Sequence, residues 1–232
     1  MRYRFILADV ETTGLTASDG VCEVAYAEIN EHFEIVAEDC ALINPGVPIH
    51  YAASAVNGIT DEMVASAPTL DQYMESVGYP LMGDDVVLVA HNAKFDSRFL
   101  KPYMSDAALT LCTLKIGRHL YPEALNHKQA TLASMLGLKV VREKAHSADG
   151  DLDVLRQMLQ RMCQDAECGL EDLLHIQAMP MKVTHLRIGK KHYGKKIEDV
   201  PLDYVQWVLR EWKDLDQDLR ATLSALCTTP SQ

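Results

Sequence analysis

Apolar and polar positions along this chain fall into blocks that predict alternating strands and helices. The apolar stretch from Tyr3 to Ala8 predicts a buried strand that stops where acids begin at Asp9. Val21 to Ile29 and Phe33 to Ile43 predict two more strands, joined at Asn30-Glu31-His32 as a hairpin, hence an antiparallel meander. Asn44-Pro45-Gly46 breaks the pattern, and a Pro- and Ala-rich loop is expected as far as Asn57-Gly58-Ile59-Thr60. Thr60 should cap a short helix, Asp61 to Ser66, with acids in its first turn, and Pro68-Thr69 should open another to about Gly78. Val86 to Ala90 is a short apolar run of buried-strand type. Asn92 then reads as the N-cap of a helix with Phe95, Phe99 and Leu100 at helical spacing. A strand at Leu109 to Leu111 and helices at Thr113 to Leu120 and Thr131 to Leu136 follow. Leu152, Leu155, Leu159 and Met162 recur at three and four residues, the stripe of a helix with one buried face.

The pattern changes around Cys168-Gly169. A short helix from Leu170 to Ala178, a hinge at Met179-Pro180 and a strand from Val183 to Ile188 are predicted there. A basic turn, Gly189 to Lys196, leads to two helices, Asp203 to Trp212 and Asp216 to Leu226, the first with Tyr204, Trp207 and Val208 on one face. The expected organisation is therefore a main domain of residues 1–167 and a small extension of residues 168–232.

Composition narrows the class. Hydrophobic content of 48% suits a substantial core, and no apolar run approaches the length of a membrane span. Met1 leads directly into the first strand, so no signal peptide is expected, and a cytoplasmic location follows. The six cysteines are scattered without Cys-x-x-Cys or zinc-like spacing, so most are expected to be small buried hydrophobes of a reducing compartment. A net charge of −11 argues against nucleic acid as a partner of the whole surface. Its distribution changes that picture: Met181 to Ile197 holds six basic residues and no acid, a segment able to steer an anionic ligand locally.

The candidate chemistry begins at Asp9-Val10-Glu11-Thr12-Thr13-Gly14-Leu15. Along a strand, positions i and i+2 share a side, so Asp9 and Glu11 present two carboxylates to one space. At about 4 Å they repel by roughly 4 kcal/mol at an effective dielectric of about 20. A cation between them relieves that repulsion, and hard oxygen ligands suit magnesium or manganese. Taken alone, the pair proves little and reads more readily as a solvated strand end. Asp96, in His91-Asn92-Ala93-Lys94-Phe95-Asp96, equally favours the positive end of its own helix. His146 and Asp151, in Ala145-His146-Ser147-Ala148-Asp149-Gly150-Asp151, flank a helix start that Gly150 is expected to loosen or shift.

Together the three stretches carry more. The order Asp-x-Glu, Asn-Ala-x-Phe-Asp and His-x-Ala-x-x-Asp resembles the DEDDh 3′→5′ exonuclease superfamily over residues 1–167. Relatives commonly carry His where Asn57 stands, a departure that reads as peripheral. The basic turn, with Ile188-Gly189-Lys190 and Tyr193-Gly194-Lys195 ahead of Tyr204-Val205-Gln206-Trp207, resembles the extension of the exonuclease X type within that superfamily. The resemblance implies an α/β fold, a ribonuclease H-like mixed central sheet flanked by helices, with a small α+β C-terminal extension. It implies a metal-dependent 3′→5′ exodeoxyribonuclease that releases nucleoside 5′-monophosphates from DNA 3′ ends, in DNA repair or end processing. It places catalytic and metal-binding roles on Asp9, Glu11, Asp96 and Asp151, with two magnesium or manganese ions, and a general-base role on His146, whose ordinary pKa near 6.5 suits proton uptake at neutral pH. Thr12, Thr13 and Leu15 would meet the 3′-terminal nucleotide, although Leu15 reads equally as core. Lys190, Lys191, Tyr193, Lys195 and Lys196 would meet substrate phosphates and bases, although they read equally as a solvated hairpin. RNA trimming, a polymerase-accessory or proofreading role, plain nucleic-acid binding and a homodimer stay open, since the motifs read no 2′-hydroxyl and no oligomer contact.

Overall fold

Five strands, β1 (Arg4–Thr12), β2 (Val21–Ile29), β3 (Ile35–Leu42), β4 (Val86–Ala90) and β5 (Leu109–Cys112), form one sheet in the order β3-β2-β1-β4-β5. The computed structural model describes residues 2–16, 19–140, 148–212, 215 and 217–228 of the chain. β1 pairs antiparallel with β2 and parallel with β4, β2 antiparallel with β3, and β4 parallel with β5, so the sheet is mixed and the class is α/β. Around it lie α1 (Tyr51–Asn57), α2 (Asp61–Val64), α3 (Leu70–Ser76), α4 (Ala93–Leu100), α5 (Thr113–Leu120), α6 (Gln129–Met135), α7 (Ala148–Asp165) and α8 (Asp172–Ala178).

Alternation along β1 sorts the core into two layers. Phe5 and Leu7 join Ala25, Ala27, Val87 and Val89 under Ile116 of α5, Leu132 of α6, and Leu155, Met158 and Leu159 of α7. Ile6, Ala8 and Val10 join Val24, Val86 and Leu88 against Tyr73 and Met74 of α3 and Leu100 of α4. Each fully buried Leu or Ile contributes about 1.5–3 kcal/mol of transfer free energy, which pins the register of β1. Asp9 and Glu11 follow Phe5 and Leu7 in the alternation, and so point to the α7 side.

Several expectations need correction. β1 does not stop at Ala8: the ladder to β2 runs on through Glu11 and Thr12, with a bulge between them, so the acids lie inside the strand. The supposed loop before Gly58 contains α1, which the hydrophobic pattern hides because no residue of α1 is buried. Its start is capped by the His50 ring, which accepts from the Ala52 N–H at 3.2 Å, and its end by Gly58 at φ 74°. Asn92 makes no side-chain cap; it adopts a left-handed backbone, φ 71°. Among the described residues α7 runs from Ala148 and keeps Gly150 within it. Only Cys22, Cys112 and Cys163 are buried; Cys40 lies on the exposed edge strand β3, and Cys227 is exposed near the chain's end.

The contacts divide the chain into a unit of residues 1–177 and a unit of residues 178–232. The boundary falls later than the change of pattern near Cys168 because Leu170 and Leu173 bury into the core of the first unit. The second unit holds α9 (Leu202–Glu211) and α10 (Gln217–Thr228) around Leu186, Ile197, Val200, Val205, Val208, Leu219 and Leu223. The strand expected at Val183 to Ile188 is an isolated His185–Lys196 bridge, flanked by bonds from Leu186 N–H to Lys195 O (2.8 Å) and from Ile197 N–H to Thr184 O (2.9 Å). That short ladder closes the basic turn without forming a sheet. Among the described residues, no helix is long and apolar enough to cross a membrane.

Candidate active site

Pairing of β1 with β2 sets the floor of the site. Asp9 lies opposite Ala25, and Glu11 opposite Glu23. A small residue across from Asp9 leaves space above the sheet, while Glu23 adds a further carboxylate on the same face. α7 crosses this face, and its first turn carries Asp151. Ligand oxygens of Asp9, Glu11 and Asp151 lie within 4.8 Å of one another. Residues 142 positions apart in sequence thus meet at one point because the Leu155–Met162 stripe docks α7 on the sheet.

Asp96 approaches from the other side. It is buried at the start of α4, 3% exposed, where its own backbone and that of Val10 favour its charged form. It lies outside the three-residue cluster, yet its charge is one of those felt by Asp9.

The electrostatics show what the cluster lacks. Burial, then the charges of Asp96, Asp151, Glu11 and Glu23, push the Asp9 carboxyl well above its ordinary value. Burial likewise raises Glu11 to about 7, against a lowering hydrogen bond from Asn57. Asp96 is raised to about 7, chiefly by burial, against its two backbone hydrogen bonds. No Lys or Arg among the described residues forms an ion pair with Asp9, Glu11 or Asp96. An all-oxygen donor set with unrelieved repulsion fits a hard divalent cation better than it fits empty space.

Two positioning residues carry no motif. Glu23 Oε2 accepts the Ala148 N–H at 2.8 Å, satisfying an orphan donor at the start of α7 from a neighbouring strand. Gln129 of α6 donates to the Asp151 carbonyl at 3.0 Å and to its Oδ1 at 3.4 Å. Only the strand register could have singled out Glu23, by placing it across from Glu11. Asn57, which reads as peripheral, lies near enough to Glu11 to favour its charged form, donates to Cys22 Sγ at 3.7 Å, and its Oδ1 accepts the Ile59 N–H at 3.0 Å. The departure at this position therefore touches a candidate ligand. His146 lies outside the described residues.

A cleft of about 580 Å³ opens beside Glu11, lined by Thr12, Leu15, His50, Val56 and Phe95 among others. Leu15 is 81% exposed there, so the core-packing reading of this side chain fails. Asp19 fixes the loop that presents it: its carboxylate accepts from Thr16 N–H (2.6 Å), Thr16 Oγ1 (2.7 Å) and Thr13 Oγ1 (3.3 Å). A Cβ on Gly14 would lie 2.7 Å from the Asp19 oxygens, so only glycine fits under this brace. Thr13 is buried with its amide bonded to Gly20 O and its carbonyl to the His50 N–H, whereas Thr12 lines the cleft. Lys190, Lys191, Tyr193, Lys195 and Lys196 lie in the second unit, all exposed.

Comparison with known proteins places this geometry. The family model RNase_T, described as Exonuclease, matches residues 6–159. The DNA polymerase III PolC-type protein of Bacillus subtilis (strain 168) is 34% identical over 170 residues, 70% of this chain and 12% of that protein. The PolC-type protein of Caldanaerobacter subterraneus subsp. tengcongensis is 30% identical over 186 residues, 77% of this chain and 13% of its own length. This chain therefore spans only about an eighth of those relatives. Among solved structures, exonuclease X in complex with 5′ overhanging duplex DNA aligns with a TM-score of 0.62 at 26% identity, covering 75% of this chain and 99% of that one. Exonuclease I of E. coli in complex with a dA16 oligonucleotide aligns with a TM-score of 0.62 at 14% identity, covering 71% of this chain and 42% of the other, a likeness of fold alone.

Proposed function

Because this chain belongs to the exonuclease family that the RNase_T model describes, we propose that it is a metal-dependent 3′→5′ exodeoxyribonuclease releasing nucleoside 5′-monophosphates. The observation that carries this reading is the convergence of Asp9, Glu11 and Asp151 within 4.8 Å, with Asp96 buried beside them. Asp9, Glu11 and Asp151 would hold one divalent cation, magnesium or manganese, and Asp9 and Asp96 would serve a second. When bound, the pair supplies polarisation of the attacking water, neutralisation of phosphate charge and stabilisation of the leaving oxygen. The protein's own groups do the rest. Glu23 and Gln129 hold α7 so that Asp151 stays in reach of Asp9. His146 accepts the proton lost by the attacking water, a role its chemistry suits at neutral pH. Leu15, held outward by the Asp19 brace, packs on the terminal base, and the Thr12 segment borders its sugar.

The likeness to PolC-type polymerases favours a second reading, in which the same activity proofreads for a polymerase. The likeness to exonuclease X, solved in complex with 5′ overhanging duplex DNA, favours DNA as the substrate. One experiment tests the chemistry: 5′-labelled single-stranded DNA, duplex DNA and RNA of one sequence, incubated in magnesium with wild type and Asp9→Ala. The expected result is a ladder shortening from the 3′ end, fastest on DNA and lost in the variant. No shortening on any strand, in magnesium or manganese, would overturn the reading.

A further inference from the structure

Both tryptophans of the chain, Trp207 and Trp212, line a single groove of the second unit. The groove has a volume of about 700 Å³, and Tyr204, Lys190, Lys191 and Arg210 complete its aromatic and basic lining. α9 builds one wall. Val205 and Val208 bury into the unit's core, which turns Tyr204 and Trp207 outward, their ring centroids 5.5 Å apart. The basic turn builds the other. Gly189 sits at φ 65°, and a Cβ there would lie 2.9 Å from the Tyr204 hydroxyl and 3.7 Å from the Trp212 ring. A side chain at this position would fill the space between the two aromatics, so glycine is what keeps it open. His192, in the same turn, is buried with its ring edge-on to Tyr204 at 4.6 Å and fixes that aromatic in place.

The charges around the groove are complementary to an anionic strand. Lys191 Nζ lies 5.9 Å from the centre of the Tyr204 ring, and neither Lys190 nor Lys191 has a carboxylate partner among the described residues. Arg210 is paired with Glu211 at 2.8 Å, and the one carboxylate among the described lining residues, Asp203, accepts the Tyr204 N–H in the first turn of α9. Residues 178–232 carry nine Lys and Arg against seven Asp and Glu, a formal +2, while the other 177 residues carry −13. Exposed Trp207 beside half-buried Tyr204 and Trp212, flanked by unpaired lysines, forms the chemistry that takes an unstacked base on a ring face and its neighbouring phosphates on ammonium groups.

We propose that this groove is a binding site for single-stranded nucleic acid, with a base against Tyr204, Trp207 and Trp212 and its phosphates at Lys190 and Lys191. It is a site of its own, and its occupancy does not depend on hydrolysis.

The tryptophans make the test selective, because quenching of intrinsic fluorescence reports on this groove and not on the acidic site. The full chain is titrated in EDTA, where strands stay intact, with oligothymidylate, oligouridylate and a blunt DNA duplex of equal length. Saturable quenching by at least one single strand is expected, with the duplex, whose bases are already stacked, at least about tenfold weaker. Trp207→Ala should weaken binding by roughly 5- to 100-fold and Trp207→Phe should restore most of it. Lys190→Gln with Lys191→Gln should flatten the log–log salt dependence by about 1.4, two phosphate contacts' worth. Three results would each overturn the proposal: no saturable quenching by either single strand, equal quenching by the duplex, or an unchanged salt slope in the lysine variant. A protein that binds in this way and hydrolyses nothing would leave the groove standing and remove the proposed function.

Discussion

The two units assemble their chemistry in opposite ways. In the first, the carboxylates of residues 9, 11 and 151 are drawn together by sheet register and by the docking of α7, with Asp96 of α4 buried near enough to repel Asp9. In the second, the notable groups come from one turn and the helix after it, residues 189–212, and they remain at the surface. The negative surplus of the chain belongs to the first unit, so the whole-chain charge does not describe the second. A convergent site depends on many distant contacts, and a local one on few. Substitutions should separate the two accordingly.

The largest effect is expected at the acids: Asp9→Ala or Asp151→Ala should lower hydrolysis of a labelled oligonucleotide by on the order of 10³-fold or more, measured in manganese excess. Retention of a tenth of the activity would deny the cluster its role. Next comes the support behind it. Glu23→Ala leaves the Ala148 N–H without its partner and should cost about 10- to 100-fold in kcat/KM, whereas Glu23→Gln keeps an accepting oxygen and should recover most of it. Equal loss in both variants would mean that the charge of Glu23, and not its hydrogen bond, matters. Smaller again is Leu15→Ala, which removes an exposed side chain: about 5- to 10-fold in kcat/KM with no change in melting temperature. A fall in stability would show Leu15 to be structural after all.

Much of the first unit was legible in the sequence, for identifiable reasons. All five strands carry apolar runs or alternation, and the Leu152–Met162 stripe marked the helix that closes the site. The four acids stood out through motif order, and the geometry brings three of them together with the fourth at their side. α1 escaped because none of its residues is buried and so it imprints no periodicity, although its Asn57 lies near enough to Glu11 to favour the charged form. Glu23 escaped because a lone Glu in an alternating strand looks like any solvent-facing residue until register sets it across from Glu11. In the second unit, the alternation of Val183 to Ile188 imitates a strand, but the segment makes one bridge and three backbone bonds to residues 194–197 instead of a sheet. The Trp207 face of α9 was visible from spacing, but its groove depends on Gly189, which spacing alone does not reveal.

Thermal melting of wild type and Asp9→Asn, with EDTA and with millimolar manganese, tests the central claim most directly. Glu11 and Asp96, at about 7 in the folded protein, hold protons there that the unfolded chain releases nearer 4. Their raised values therefore leave stability intact below about pH 4 and remove it as pH rises through 7. In EDTA, wild type should melt lower at pH 8 than at pH 5, and at pH 8 Asp9→Asn, relieved of one charge, should melt above it. Manganese should reverse that order, raising wild type by several degrees and the variant by little, since ligand at about 100 times its Kd adds about 2.7 kcal/mol. A variant that melts below wild type in EDTA, together with a wild type indifferent to manganese, would contradict a cation-binding cluster built on Asp9.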